Sequence, residues 1–177
     1  RAFVIGGYVR DCILGRPCND IDVVVEGSGI ALAEAVAKRL RCRVSVFKRF
    51  GTAMIKSKGL EVEFVGARKE SYRADSRKPI VEDGTLREDQ ERRDFTINAL
   101  MQNVLTGEIT DHFGGRADIE KGVIRHVNDS SFAEDPLRVL RAAQFAARFD
   151  FEIAEETVAL CSSMDLTALS KERVETE

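Results

Sequence analysis

Proline is scarce in this sequence, at 3 of 177 residues, and apolar residues make up 44% against 32% charged. That balance excludes a disordered tail or a fibre. Long hydrophobic runs are missing too. The longest apolar stretches, such as Val23-Val24-Val25, fall far short of the roughly 18 residues a membrane span needs. Four cysteines (Cys12, Cys18, Cys42 and Cys161) form no CxxC pair, and the two histidines, His112 and His126, lie apart. This argues against a Cys/His zinc centre and for scattered reduced thiols, as expected of a cytoplasmic protein. No charge of one sign dominates, because the net charge is −3. A small net charge leaves room for local basic clusters, and these occur at 68–78, at Arg92-Arg93 and at 138–148.

The length suits one compact domain, or one domain plus the start of a second. A chain of this size buries roughly 70% of its unfolded surface and needs no covalent staple. It opens at Arg1 inside an apolar run and stops at Glu177 inside a helix-like charged stretch, so a piece of a longer protein is expected.

The first hundred residues alternate strand-like and helical runs. Residues 2–5 read as a strand stopped by Gly6-Gly7, 8–14 as a short helix closed by Gly15, and 20–26 as a second strand. Ser28 is placed to cap a helix over 30–40, with Ile30, Ala33, Val36, Ala37 and Leu40 on its apolar stripe. Strands follow at 43–47, 53–56 and 60–65, the last two joined at Lys58-Gly59. Residues 66–89 lose the pattern and read as a long loop, which points to a lid or binding loop. Helical spacing returns at 91–102. Past Asn128 the pattern is helical only, at 132–149, 154–164 and from Ser170, which sets a boundary near residue 128.

Asp20-Ile21-Asp22-Val23-Val24-Val25-Glu26 carries the strongest chemical signal. Alternation puts Asp20 and Asp22 on one strand face and Ile21, Val23 and Val25 on the other, toward a core. Two carboxylates so placed can share hard cations such as Mg²⁺, as in two-metal phosphoryl transfer. A solvated strand face is the plainer reading of a bare DxD. The turn at Gly6-Gly7 changes the balance, because it follows a strand and opens a helix, where backbone N–H groups hold phosphate. Arg10, one turn on, can contact the same anion. Glu63 on the 60–65 strand is a candidate third carboxylate, and Glu61 shares its face, so spacing alone leaves the choice open.

Together these residues carry a family resemblance. Gly6-Gly7-Tyr8-Val9-Arg10-Asp11 with Asp20-Ile21-Asp22 resembles the opening motif of the class II tRNA nucleotidyltransferase and bacterial poly(A) polymerase family. Arg92-Arg93-Asp94-Phe95-Thr96-Ile97-Asn98-Ala99-Leu100 resembles its second motif, Asp111 with Gly114-Gly115 and Asp118-Ile119 its third, and Glu134-Asp135-Pro136-Leu137-Arg138 its fourth. The resemblance implies an α+β fold: a nucleotidyltransferase head of the DNA polymerase β kind over 1–127, with a mixed β-sheet and flanking helices, then the start of an all-α neck over 128–177. It implies Asp20 and Asp22 as catalytic metal ligands for two Mg²⁺ ions, and Gly6, Gly7 and Arg10 around the triphosphate. Arg93, Asp94 and Asn98 would contact sugar and phosphates, and Asp135 with Arg138 would read the base edge. Arg141 lies near that face and could meet phosphates. Asp111 and Asp118 read more simply as braces of the Gly114-Gly115 turn, and Asp11 as a partner that orients Arg10. The implied reaction adds C and A residues from CTP and ATP to the 3′ end of tRNA. A poly(A) polymerase, a C-only or A-only enzyme, and a non-catalytic RNA-binding module are the alternatives.

Overall fold

The computed structural model describes residues 1–71, 80–83, 85–167 and 169–176. The chain divides into two compact units, 1–90 with 100–110, and 91–99 with 111–177.

In the first unit the order is β1 (Ala2–Ile5), α1 (Gly7–Ile13), β2 (Asp20–Val25), α2 (Gly29–Leu40), β3 (Val44–Phe47), β4 (Thr52–Ser57), β5 (Leu60–Gly66), β6 (Arg68–Ser71) and β7 (Ile80–Asp83). Then come α3 (Leu86–Glu91), which reaches the division, β8 (Met101–Asn103) and β9 (Ile109–Thr110). Seven strands make one mixed sheet in the order β3-β4-β5-β2-β1-β8-β9. Its neighbours are antiparallel except β2 and β5, which run parallel.

Helix α2 covers one face of this sheet. Ser28 caps it by accepting from the Ala31 amide at 3.1 Å, and Ala33 and Ala37 pack on Val23, Ala53, Ile55 and Phe64. The helix lies close because Gly29 has no side chain: a Cβ there would stand 2.6 Å from the Val65 carbonyl carbon. Leu40, expected on the apolar stripe, is 58% exposed, because the helix ends there and the chain reverses at Arg41 in the left-handed region. The opposite face buries Phe3, Ile5, Val24, Ala67 and Met101. Val24 shares the side of Asp20 and Asp22, so along β2 that side turns from polar to apolar.

In the second unit a 3-10 turn (Thr96–Asn98) precedes α4 (Gly115–Lys121), β10 (Val123–Ile124), α5 (Asp129–Ala133), α6 (Leu137–Phe149), β11 (Glu152–Ile153), α7 (Glu155–Ser163) and α8 (Lys171–Thr176). Phe95 stands at its centre, fully buried, edge-on to Phe132 and Phe145 at 5.7 and 5.6 Å. His126 is buried and bonded through Nδ1 to the Thr157 hydroxyl at 2.7 Å and through Nε2 to Asp129 at 2.6 Å. These bonds tie the segment after β10 to α5 and α7.

Four sequence expectations need correction. The 66–89 segment is not one long loop, since β6 pairs with β7 and α3 follows; its sequence carries no period-2 hydrophobic alternation to announce those strands. Residues 72–79 and 84 of that expected loop lie outside the described residues. The helix expected over 91–102 is the end of α3, a 3-10 turn and β8. Phe95, Ile97, Ala99, Leu100 and Met101 are all buried, and a run buried on every side mimics helical spacing. The region past 128 is not purely helical, because β11 pairs in parallel with β10. The helix expected over 132–149 is split in two, since Pro136 disfavours helical geometry at Asp135.

Candidate active site

The first unit gathers one set of candidate residues through strand register. Ile5 pairs with Asp22 across β1 and β2, so the Gly6-Gly7 turn sits at the sheet end that carries the aspartates. Gly6 adopts φ 76 and ψ −133, a conformation that L side chains rarely enter. Its N–H donates to the Leu100 carbonyl at 3.2 Å. Helix α1 has no side-chain cap, so helical geometry leaves the Gly7, Tyr8 and Val9 amides outside the intrahelical ladder.

Arg10 is buried beneath this turn, and its Nε donates to Asp11 Oδ1 at 2.9 Å. Asp11 thus orients Arg10, as the sequence suggested. A Cβ on Gly7 would meet Arg10 Nη2 at 3.3 Å, so glycine at this position gives the guanidinium its room. The Tyr8 phenol, on the same helix, has its pKa raised by a hydrogen bond with the Cys12 thiol.

On β2, Asp20 is exposed and Asp22 half-buried. Parallel pairing sets Asp20 beside Glu61 and Asp22 beside Glu63. Lys56 binds Glu61 at 2.5 Å, which separates the two glutamates: Glu61 is engaged by a lysine, and Glu63 adjoins Asp22. No group of three His, Cys, Asp or Glu side chains among the described residues could hold a metal ion. Asp20 and Asp22 offer hard carboxylate oxygens. That set fits Mg²⁺, which keeps waters and binds through one or two carboxylates plus substrate phosphates.

The second unit gathers the other set. Arg92, Arg93, Asp94, Asp135, Leu137, Arg138 and Arg141 line one open cavity of about 300 Å³. Four guanidiniums against two carboxylates make its lining suited to an anion. Asp94 organises the floor: Oδ1 accepts from the Phe95 amide at 2.8 Å and from Asn98 Nδ2 at 3.1 Å, and Oδ2 accepts from Arg141 Nε at 2.9 Å. Asn98 lies buried behind it. Arg138 spends both terminal nitrogens on backbone carbonyls, Ser131 and Arg92, each at 2.7 Å. Asp135 accepts from the Leu137 amide at 3.1 Å, which starts α6, and from Arg173 Nη2 at 3.0 Å.

Asp135 and Arg138 are therefore not a helix-surface ion pair with each other. Arg173, on α8, is a cavity neighbour that sequence reasoning missed, because nothing in its spacing links it to Asp135. Leu137 lines the cavity and, like Leu140, is half-buried. Asp111 does brace the glycine turn, accepting from the Gly115 and Arg116 amides at 2.9 and 3.0 Å. Asp118 instead accepts from the Thr96 hydroxyl at 2.7 Å and pairs with Arg125.

The family model described as the poly A polymerase head domain matches residues 2–125. The chain belongs to that family. The chain is 43% identical over 175 residues to the A-adding tRNA nucleotidyltransferase of Aquifex aeolicus (strain VF5), covering 97% of this chain and 21% of that one. It is 42% identical over 185 residues to the Multifunctional CCA protein of Stenotrophomonas maltophilia (strain K279a), covering 98% of this chain and 44% of that one. Among solved structures, a tRNA nucleotidyltransferase complexed with a primer tRNA and an incoming ATP analog superposes with TM-score 0.80 at 40% identity, over 99% of this chain and 47% of that one. A tRNA-processing enzyme with CTP gives 0.81 at 42% identity, over 91% and 42%. The chain thus spans less than half the length of these relatives. The head-domain match stops before Asp135, Arg138, Arg141 and Arg173, whereas the two curated relatives align with almost the whole chain.

Proposed function

We propose that residues 1–127 are the catalytic head, and 128–177 the start of the helical neck, of a template-independent RNA nucleotidyltransferase. It would add C and A residues to tRNA 3′ ends from CTP and ATP. The observation that carries this reading is the Asp20–Asp22 pair, set by register at the sheet end where the Gly6-Gly7 turn opens α1. Mg²⁺ held there would lower the pKa of the attacking RNA 3′-hydroxyl and neutralise the triphosphate as pyrophosphate leaves. Asp20 and Asp22 supply the protein's oxygen ligands, with Glu63 as their neighbour. The amides of Gly7, Tyr8 and Val9 and the Arg10 guanidinium take up phosphate charge.

In the second unit, Arg93 and Arg141 supply positive charge for phosphates. Asp94 and Asn98 shape the segment that meets the sugar. Asp135 accepts from cytosine N4 or adenine N6, both donors. Arg138 braces the cavity wall and reaches a base edge by exchanging one of its two carbonyls. Protein side chains would in this way replace a nucleic-acid template. A second reading, addition of A alone, is favoured by two relatives named A-adding tRNA nucleotidyltransferase, each 43% identical to this chain.

The test uses the native polypeptide that carries this sequence. It is incubated with Mg²⁺, CTP, ATP or both, and tRNA transcripts ending before CCA, after C or after CC. Products are sized at single-nucleotide resolution. A ladder that stops at a completed CCA supports the first reading, and one A added only after CC supports the second. A long A ladder identifies a poly(A) polymerase. No extension, with RNA binding retained, identifies a non-catalytic module.

A further inference from the structure

The edge of the sheet farthest from β9 carries a surface that the proposed chemistry does not use. Residues 38–49 hold six cations, Lys38, Arg39, Arg41, Arg43, Lys48 and Arg49, and no acid. All six are exposed, and among the described residues none is engaged by an acidic side chain. Two phenylalanines interrupt the basic run at the surface: Phe47 is 44% and Phe50 61% exposed, and the Arg49 guanidinium stands 5.8 Å from the Phe50 ring centroid.

Register ties this edge to the carboxylates. Val44 and Val46 pack into the cluster beneath α2, so alternation turns Ser45 and Phe47 to the other face, the one that carries Asp20 and Asp22. One register row runs Asp22, Glu63, Met54, Ser45, and the next runs Val24, Val65, Thr52, Phe47. Three strand spacings separate Asp22 from Ser45, roughly 14 Å. Cations on an edge strand also block edge-to-edge pairing, but that role calls for neither two exposed aromatic rings nor six uncompensated charges.

We propose that this β3 edge, through Arg43, Lys48 and Arg49 with Phe47 and Phe50, is a contact surface for single-stranded RNA. It would hold nucleotides upstream of the reacting end by phosphate neutralisation and base stacking. The inference rests on the proposed RNA substrate, and its test is separable from that of the activity. Fluorescence anisotropy of a labelled single-stranded RNA ending in CC is measured on this chain across a salt series. R43S/K48S/R49S lowers the slope of log affinity against log salt by about 0.7 per removed cation, hence about 2 in total. F50A weakens binding about tenfold, and R43K/K48R/R49K keeps the parent slope. CTP binding, read on the same variants, stays at the parent value because none of these residues lies in either candidate set.

Parent affinity and slope in both the triple variant and F50A would overturn the inference, as would a parent chain that binds no RNA at any salt. Poly-glutamate competing as well as RNA of equal charge would overturn it in favour of an acidic protein partner. Self-association of the triple variant with unchanged RNA affinity would assign the cations to edge protection. A parent that binds RNA through this edge yet adds no nucleotide would remove the proposed activity and leave the RNA surface standing.

Discussion

Replacing Asp94 should destabilise the chain more than any other single change in the cavity lining, and the structure sets the size of the effect. Its carboxylate accepts three hydrogen bonds, from the Phe95 amide, Asn98 Nδ2 and Arg141 Nε. Its side chain is 11% exposed, and that of Arg141 is 32% exposed. Hydrogen bonds to a charged group are worth about 1.5–3 kcal/mol each, and stranding a buried donor adds a desolvation cost. The Arg141 guanidinium can rehydrate, so its share is discounted toward surface values. Asp94→Ala should therefore cost about 3 kcal/mol, chiefly because the Asn98 amide and the Phe95 N–H lose their acceptor. Asp94→Asn keeps an acceptor for those two and loses the charge facing Arg141, for about 1–2 kcal/mol. Urea unfolding of both variants, with Arg141→Ala and the double variant, measures the individual costs and a coupling of about 1 kcal/mol. Asp94→Ala within about 0.5 kcal/mol of the parent would refute the reasoning.

Gly29→Ala should destabilise by more than about 2 kcal/mol despite the helix propensity of alanine, because its Cβ would overlap the Val65 backbone; an unchanged melting temperature would contradict the close approach of α2 to β5. Thr157→Val removes the hydroxyl that meets His126 Nδ1 and accepts from the His126 amide, at a cost of about 1–3 kcal/mol in thermal or chemical unfolding, whereas Thr157→Ser should cost less. The Asp135–Arg173 pair is half-exposed, so its double-mutant coupling in stability should be about 0.5 kcal/mol. Arg173→Ala should instead alter the ratio of C to A incorporation, read from single-nucleotide ladders, and an unchanged ratio would remove Arg173 from base recognition.

The dicarboxylate strand was legible in the sequence because its alternation is nearly ideal: two aspartates on one side, and Ile21 and Val23 packed beneath α2. The Ser28 cap and the Lys58-Gly59 hairpin were legible because each depends on local chemistry. Register was not. That Asp22 meets Glu63, while Glu61 meets Lys56, follows from a parallel pairing of residues 41 positions apart, which no local pattern encodes. The 91–102 region misled for the opposite reason, since burial on every side erases the polar face that distinguishes a helix from a strand. Arg93, Asp94, Asp135, Arg138 and Arg141 line one cavity. Their bonds were hidden, because Arg138 reaches backbone carbonyls and Asp135 reaches Arg173, 38 residues away.

The central claim is that Asp20 and Asp22 hold the cation on which nucleotidyl transfer depends. Single-turnover addition of one nucleotide to a tRNA transcript, measured across a Mg²⁺ titration for the parent, Asp20→Asn and Asp22→Asn, tests it most directly. Removing a ligand worth several kcal/mol of transition-state stabilisation should slow addition by about a thousandfold or more in each variant. CTP-independent thermal stability should stay within a few degrees of the parent, since Asp20 is exposed and Asp22 only half-buried. Addition within about tenfold of the parent rate in either variant, at any Mg²⁺ concentration, would contradict the account.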